Sequence, residues 1–169
     1  MSTDPATLDT EAPTWTGRVS GIFITKTRAE PMRSVDEVNA VAGKGLEGDR
    51  YFDRAGSWSD RPGTGREVTL IESEAVEAAG QEYGFDLPPG EARRNIVTAG
   101  VALNHLVGQE FLVGEVRLRG MRLCEPCAHL SELTGVPLIK ALIHRGGLRA
   151  EIVDGGAIRV GDQIRPVTD

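Results

Sequence analysis

The chain has 169 residues, of which 40% are hydrophobic and 26% charged, and its formal net charge at pH 7 is −6. These values predict one globular domain with its own core, and they argue against nonspecific nucleic-acid binding, which needs a basic face. No apolar run reaches the ~20 residues of a membrane helix, and residues 1–13 do not resemble a secretion signal. With only two cysteines, we expect a cytoplasmic protein with free thiols that binds neither nucleic acid nor membrane.

The first third of the chain combines a polar tail with strand-like segments. Residues 1–14 lack hydrophobic periodicity and predict a disordered tail, which leaves residues 15–169 as a single domain. Residues 17–25 and 35–41 are rich in β-branched side chains and predict two strands. The glycine-rich segment 43–50 predicts a tight turn, because it lacks the Gly-Lys-Ser/Thr ending of a phosphate-binding loop.

The middle of the chain alternates strands with short helices. Residues 67–71 predict a strand that runs into a helix at 73–79, with Ser73 near its N-cap and Gly84 beyond its end. Arg93 and Arg94 precede a strand at 96–98, and such adjacent arginines are more often solvated surface residues.

The second half completes the predicted sheet. Residues 101–107 predict one or two helical turns, and 111–123 predict a hairpin around Gly114-Glu115. Helices are expected at 130–135 and 136–144, and a strand at 148–153. We expect 158–160 and 163–165 to form a closing hairpin. About eight short strands with three short helices indicate a mainly β protein, a small antiparallel-rich β-barrel.

The two cysteines, Cys124 and Cys127, lie where the strand ending near Leu123 gives way to a helix. Structural zinc is one interpretation, with His129 and His144 as further ligands, although the usual second Cys-x-x-Cys is missing. A thioredoxin-like redox pair is another, but the expected βαβ surroundings are absent. The thiols could also be inert core residues, or one of them could bind a soft metal or carry a persulfide. The residues alone leave these four alternatives open.

Six motifs in order nevertheless carry a family resemblance. The chain resembles the MOSC domains, which form the C-terminal domains of molybdenum cofactor sulfurases and also occur as small stand-alone bacterial proteins. The resemblance runs from about residue 17 to residue 166. The motifs are Gly45-Leu46-Glu47-Gly48-Asp49-Arg50, Leu70-Ile71-Glu72-Ser73-Glu74-Ala75, Arg93-Arg94-Asn95-Ile96-Val97-Thr98, Gly108-x-x-Phe111-x-x-Gly114, Cys124-Glu125-Pro126-Cys127 with Leu130, and Gly156-x-Ile158-x-Val160-Gly161-Asp162.

The resemblance implies a β-barrel-like fold that binds the molybdenum cofactor, Mo-molybdopterin. In the amidoxime-reducing relatives the second cysteine of the Cys-x-x-Cys run ligates molybdenum, which places the metal ligand at Cys127. The family's Arg-x-Asn falls on Arg93 and Asn95, which would hold the cofactor's phosphate and pterin. Further cofactor contacts carried over by position are Ser73, Lys26, Thr27 and Arg50.

The resemblance also implies an activity. We expect a molybdenum-dependent oxidoreductase component that reduces N-hydroxylated small molecules with electrons from a partner protein, with His129 as proton donor. One alternative is a sulfur carrier bearing a persulfide on Cys127. It would need a sulfur-donor protein, since the pyridoxal-phosphate domain of the full sulfurases is not part of this sequence. The second alternative is a non-enzymatic cofactor-binding or storage module. The pair Glu125-Pro126 departs from the small-basic pair of the reductase relatives.

Overall fold

A computed structural model describes residues 13–54, 56 and 64–168. This part of the chain contains eleven strands, three α-helices and one short 3-10 helix at Leu103–Leu106. The strands are β1 (Gly17–Ile24), β2 (Arg33–Val35), β3 (Glu37–Val41), β4 (Gly45–Leu46), β5 (Val68–Glu72), β6 (Ile96–Ala99), β7 (Glu110–Val113), β8 (Val116–Leu123), β9 (Leu148–Asp154), β10 (Gly156–Arg159) and β11 (Gln163–Pro166). The α-helices are α1 (Ser73–Tyr83), α2 (Ala128–Thr134) and α3 (Leu138–Leu142).

Seven strands form a closed barrel in the order β11-β7-β8-β9-β5-β6-β1. Pairing of β1 with β11, Gly17 opposite Ile164, completes the ring. Strand β2 adds to β1 outside the ring, and β10, β3 and β4 form a separate small sheet. Among the named strands only β5 and β6 pair in parallel. The mainly β, antiparallel-rich barrel with three short helices is therefore confirmed.

Alternation along the strands separates the barrel interior from its outer surface. In β8, for example, Val116, Leu118 and Gly120 are buried while the residues between them are more exposed. The interior cluster includes Leu70 and Phe111, both fully buried. Burial of side chains this size stabilises the fold by roughly 1.5–3 kcal/mol each.

A second hydrophobic cluster covers part of the outside of the barrel. Phe23 of β1, Ile71 of β5 and Val97 of β6 pack there with Leu130 of α2 and Leu138 of α3. Because both faces of β5 and β6 are buried, these strands read as apolar runs rather than as alternating ones. The helices thus form a second core on the outer face of the barrel, and the candidate site lies at its edge.

Two sequence expectations need correction. The segment 35–41 is divided between two strands, since β2 pairs with β1 while β3 pairs with β10. The predicted closing hairpin is wrong, because β10 pairs with β3 whereas β11 pairs with β7 and β1. The turn itself exists, with the Asp162 amide donating to the Arg159 carbonyl at 3.0 Å. A turn motif predicts a change of direction but does not determine the pairing of the strands that flank it.

The helix after β5 is longer than the sequence indicates, because it runs from Ser73 to Tyr83. Its N-cap is Glu72, directly before Ser73, and Gly84 follows its last residue in the left-handed conformation with φ 70°. A glycine is favoured there because it has no Cβ to clash.

The N-terminal tail was predicted over residues 1–14. Residues 1–12 lie outside the described residues, whereas Pro13 and Thr14 are exposed and belong to no strand or helix. A single domain over 15–169 stays a prediction. No helix in the described part of the chain is long and apolar enough to cross a membrane.

Candidate functional site

The cysteine pair connects a barrel strand to a helix on its outer face, as the sequence predicts. Strand β8 ends at Leu123, and Cys127 is the extended N-cap residue of α2, with φ −126° and ψ 166°. Cys124 is only 1% exposed, whereas Cys127 is half-buried. The two thiols are therefore unequal, and Cys127 is the one a ligand could reach.

Arg94 holds in place the loop between β8 and α2, residues 124–127, which we call the cysteine loop. Its guanidinium is buried and donates to three main-chain carbonyls: Nε to Gly146 at 2.9 Å, Nη2 to Cys124 at 3.1 Å and Nη1 to Ala92 at 3.3 Å. The planar fork of arginine suits several fixed acceptors at once. The residue type alone predicts a surface position for Arg94, whereas the family resemblance predicts a place in the site. Its buried guanidinium links the cysteine loop to the segment after α3.

Gly147 fixes the other side of the same loop. Its carbonyl accepts a hydrogen bond from the Cys124 amide at 2.7 Å, and its φ is +113°. A Cβ at this position would lie 2.0 Å from the Leu70 carbonyl oxygen. Only glycine therefore lets the chain pass this close to β5 with the backbone aimed at the cysteine loop.

Beside Cys127 opens a cavity of about 160 Å³. Five of the site residues expected from the sequence line it, although they come from distant parts of the chain. Its lining is Arg50, Tyr51, Thr69, Arg93, Arg94, Asn95, Cys124, Glu125, Cys127, His129, Leu130, Leu133 and Arg149.

The cavity is cationic in a protein of net charge −6. Four arginines line it against one carboxylate, that of Glu125, which accepts from the His144 amide at 3.1 and 3.2 Å. Of these arginines, only Arg50 forms a salt bridge within the described part of the chain, with Asp49 at 3.5 Å. Such a surplus of positive charge favours an anionic ligand.

Arg93 and Arg50 form one cationic side of the cavity. Arg93 has a left-handed backbone, with φ 59°, and its Nη1 donates to the Glu30 carbonyl at 2.6 Å. Burial, together with the charge of Arg50, lowers the pKa of Arg93. A non-glycine residue in this conformation costs about 1 kcal/mol or more and is typical of functional sites.

Asn95 forms the floor of the cavity but is already engaged within the protein. Its Oδ1 accepts from the amide and from Oγ1 of Thr69, both at 3.1 Å, and its Nδ2 donates to the Phe23 carbonyl at 3.1 Å. Its own amide donates to Thr69 Oγ1 at 3.0 Å. Asn95 therefore joins β1, β5 and the start of β6, and it directly follows Arg93 and Arg94 in the chain.

Strand register explains why the remaining residues meet here. Thr69 of β5 lies opposite Arg149 of β9, and Arg149 lies opposite Arg122 of β8. A row of polar side chains thus crosses three neighbouring strands on the outer face of the barrel. Neither Thr69 nor Arg149 is among the site residues expected from the sequence. The outward parity of Arg149 in β9 was a signal, but only the register shows that it lies beside the cysteine loop.

Three expected cofactor contacts are not brought to this cavity. Ser73 lines a separate cavity of about 390 Å³ beneath α1, together with Phe85 and Leu87. Lys26 and Thr27 are exposed between β1 and β2, and neither lines the Cys127 cavity. Ser73 is the first residue of α1, and it lines the cavity beneath that helix rather than the one beside Cys127.

A shallow groove continues from the Cys127 cavity. Its volume is about 420 Å³, and it shares Arg93 and Leu133 with the cavity. The cavity alone is smaller than the roughly 300 Å³ at which small-molecule sites begin, whereas the two together fall in the usual range. A ligand with a compact head and an extended body would fit this shape.

The metal-binding capacity of the protein itself is limited. Among the described residues no group of three or more His, Cys, Asp or Glu side chains could hold a metal ion. This argues against the structural zinc interpretation, which needs four protein ligands. A metal held by Cys127 would have to receive its remaining donors from a cofactor, and the cationic cavity with its groove fits an anionic cofactor of that kind.

Comparison with known proteins agrees with this fold. No curated protein matches the sequence significantly. The chain is similar in structure to the YuaD protein from Bacillus subtilis, with a TM-score of 0.76 and 19% identity over 90% of this chain and 96% of that one. It is also similar to YiiM from Geobacillus stearothermophilus, with a TM-score of 0.69 and 17% identity over 90% of this chain and 75% of the other.

YiiM from Escherichia coli is a third similar structure, with a TM-score of 0.64 and 18% identity over 90% of this chain and 70% of that one. At these identities the likeness concerns the fold alone. The MOSC domain model, in addition, matches the sequence over residues 59–165. This match spans most of the barrel, including the Arg93–Asn95 segment and the cysteine loop, and the chain belongs to the MOSC domain family.

Proposed function

We propose that this protein binds the molybdenum cofactor in the Cys127 cavity and acts as the reductase component for N-hydroxylated small molecules. One observation carries the proposal: the accessible thiol of Cys127 lines the same cavity as Arg93 and Arg50. Thiolate sulfur suits soft transition metals, and arginine suits phosphate through paired donors. The two kinds of ligand that a phosphate-bearing metal cofactor needs are thus next to each other.

Each end of the site would hold a different part of the cofactor. Cys127 would supply one sulfur ligand to the metal, since no cluster of protein ligands competes for it among the described residues. Arg93 and Arg50 would hold the phosphate through their guanidinium groups. The pterin would extend into the groove, which Arg93 also lines. Arg94 would keep the cysteine loop at a fixed distance from these cations through its bonds to Cys124 and Gly146.

The reaction would break an N–O bond. Two electrons from a separate reductase protein and two protons convert the N-hydroxyl group to an N–H group and release water. The cofactor would supply the redox-active molybdenum. His129 lies exposed in the first turn of α2 and lines the cavity, so it would hold a proton for the departing hydroxyl group.

Metal analysis of the protein from a molybdenum-replete host that makes the cofactor tests the assignment. We expect stoichiometric molybdenum in the wild type, its loss in Cys127→Ser and its retention in the matched variant Cys124→Ser. Turnover of an N-hydroxylated compound with an electron-donor system should follow the same pattern. If Cys127→Ser keeps both its metal and its turnover, Cys127 is not the ligand.

The same preparations separate the alternative functions. A sulfur carrier would lack molybdenum and would show cyanide-labile sulfur on Cys127, which Cys127→Ser would lose. A storage module would contain the cofactor without turnover of N-hydroxylated compounds by any electron donor. Either result would reject the reductase proposal. The sulfur-carrier result would also reject binding of the molybdenum cofactor.

A further inference from the structure

Two arginines outside the proposed cofactor contacts form a second cationic group, in which Arg149 lines the Cys127 cavity and Arg122 lies beside Arg149 without lining it. Arg122 and Arg149 are directly opposite each other in the β8–β9 pair. Arg149 lines the cavity from the side of β9, whereas Arg93, which joins the cavity to the groove, comes from the segment before β6. The cavity therefore has cations on two separate sides.

A β-bulge creates this arginine pair. The register passes from Gly120 opposite Ala150 to Arg122 opposite Arg149, so that Met121 is the extra residue in β8. Without the bulge, Met121 and not Arg122 would lie opposite Arg149. Bulges commonly redirect a side chain beside a functional site. Here the bulge puts two guanidinium groups on one patch of the outer face.

The pair is costly to the protein when no anion is bound. Like charges placed directly opposite each other destabilise a strand pair. Within the described part of the chain neither arginine forms a salt bridge, and Arg122 has one side-chain bond, from Nη1 to the Thr64 carbonyl at 3.3 Å. Glu151 is the next outward-facing residue of β9, but it forms no salt bridge with either arginine within the described part of the chain. Its carboxylate accepts a hydrogen bond from the Gly65 amide at 3.4 Å.

Each cationic group also contains neighbouring positive charges. The pKa of Arg122 is lowered by burial and by the charges of Arg149 and Arg66, while that of Arg93 is lowered by burial and by Arg50. An anion bound beside Arg122 or Arg93 would offset this repulsion.

We infer that Arg149 and Arg122 form a subsite for an anionic group on the substrate, so that the preferred N-hydroxylated substrates carry a carboxylate or phosphate. The inference rests on the proposed function for the identity of the reacting group. Arg149 contacts the end of the substrate nearest the cavity, and Arg122 extends the same patch outward. The cofactor phosphate would be held on the other side, by Arg93 and Arg50.

A matched pair of probes tests this subsite. Benzamidoxime is neutral, and 4-carboxybenzamidoxime differs from it only by a carboxylate. We expect the full-length wild type to bind the anionic probe about tenfold more tightly by calorimetry at low salt, a ratio that added salt reduces. Arg122→Gln should lower this preference about fivefold. In steady-state assays it should raise KM for the anionic probe and leave kcat unchanged.

Arg119→Gln is the control, because it removes the same charge from the same strand while Arg119 is engaged by Glu110 at 2.6 Å. The control should keep the wild-type preference. Equal affinity for the two probes, no binding of the anionic probe, or an equal loss in both variants overturns the subsite. Loss of molybdenum from Arg122→Gln would instead show that Arg122 and Arg149 bind the cofactor, and this result would also overturn the substrate subsite.

Failure of the proposed function gives a different pattern. A protein without molybdenum or turnover can still show the binding preference and its loss in Arg122→Gln, which would retain the anion subsite and reject the reductase. Turnover of both probes with the same kcat/KM would retain the reductase and reject the subsite.

Discussion

Thr69 and Asn95 are joined by three hydrogen bonds of 3.0–3.1 Å in which each residue both donates and accepts. The Thr69 amide can only donate, so it determines which atom of the Asn95 carboxamide faces β5. The Nδ2 group is consequently turned toward the Phe23 carbonyl of β1. One side chain thereby joins three neighbouring barrel strands directly under the candidate site.

Asn95→Ala should therefore lower the free energy of unfolding by about 2–4 kcal/mol, because it leaves the buried Thr69 amide and Phe23 carbonyl without partners. Urea denaturation followed by circular dichroism measures the loss. Asn39→Ala is the control, since Asn39 is exposed on β3 and should change stability by less than about 0.5 kcal/mol. A loss in Asn95→Ala no larger than in the control would contradict the role given to this side chain.

The adjacent residues Arg93 and Arg94 should respond differently to the same substitution. Arg94→Lys should lose about 1–3 kcal/mol of stability, because one ammonium group cannot reach the Gly146, Cys124 and Ala92 carbonyls together. Arg93→Lys should stay within about 1 kcal/mol of the wild type and show its effect in cofactor content. Thermal denaturation and metal analysis of both variants give the comparison, and the reverse order of stability would refute it.

Gly147→Ala should be the most damaging of the glycine substitutions near the site. Its Cβ would lie 2.0 Å from the Leu70 oxygen at a φ of +113°, so the cysteine loop and β5 would have to separate. We expect a loss of about 3 kcal/mol or more. Gly135→Ala is the control, because its φ is 71° with no atom within 4 Å of the added Cβ, and it should cost about 1 kcal/mol. Melting temperatures of the two variants should differ accordingly.

Asp49 should make stability depend on pH. Burial raises the pKa of Asp49 above its ordinary value of 3.8, despite the opposing charge of Arg50. The folded state therefore binds this proton more tightly than the unfolded state does. The stabilising contribution of this proton is complete below 3.8 and is lost as pH rises through the folded-state pKa. Measured by urea denaturation between about pH 4 and 7, the stability of Asp49→Asn relative to wild type should rise with pH. A constant or falling difference would contradict this sign.

The sequence predicted the parts of the site that depend on local chain order. The cysteines at a strand-to-helix junction and the Arg93–Asn95 segment before a strand both follow from local periodicity and motif. Thr69 and Arg149 were missed because their proximity depends on register between strands far apart in the chain. Ser73 has a suitable hydroxyl group, but its place at the start of α1 turns it toward another cavity.

The fold shows the same division. Alternation and turn residues predicted most strands and the β7–β8 hairpin, because these features are local. They did not predict that β10 pairs with β3, since any strand of suitable length satisfies the same pattern. Residue type and spacing therefore indicated the mainly β barrel, while partner choice among strands depended on packing of the whole chain.

Closure of the barrel by β1 and β11 has a kinetic consequence. Gly17 and Ile164 belong to opposite ends of the described chain, so the ring cannot close until nearly all of it is available. Contacts this far apart in sequence slow folding, because their loop-closure entropy must be overcome before they contribute. Until then β7 and the start of β1, at Gly17 and Arg18, have open edges that can pair with another chain. We therefore expect refolding yield to fall with protein concentration even when the folded protein is stable.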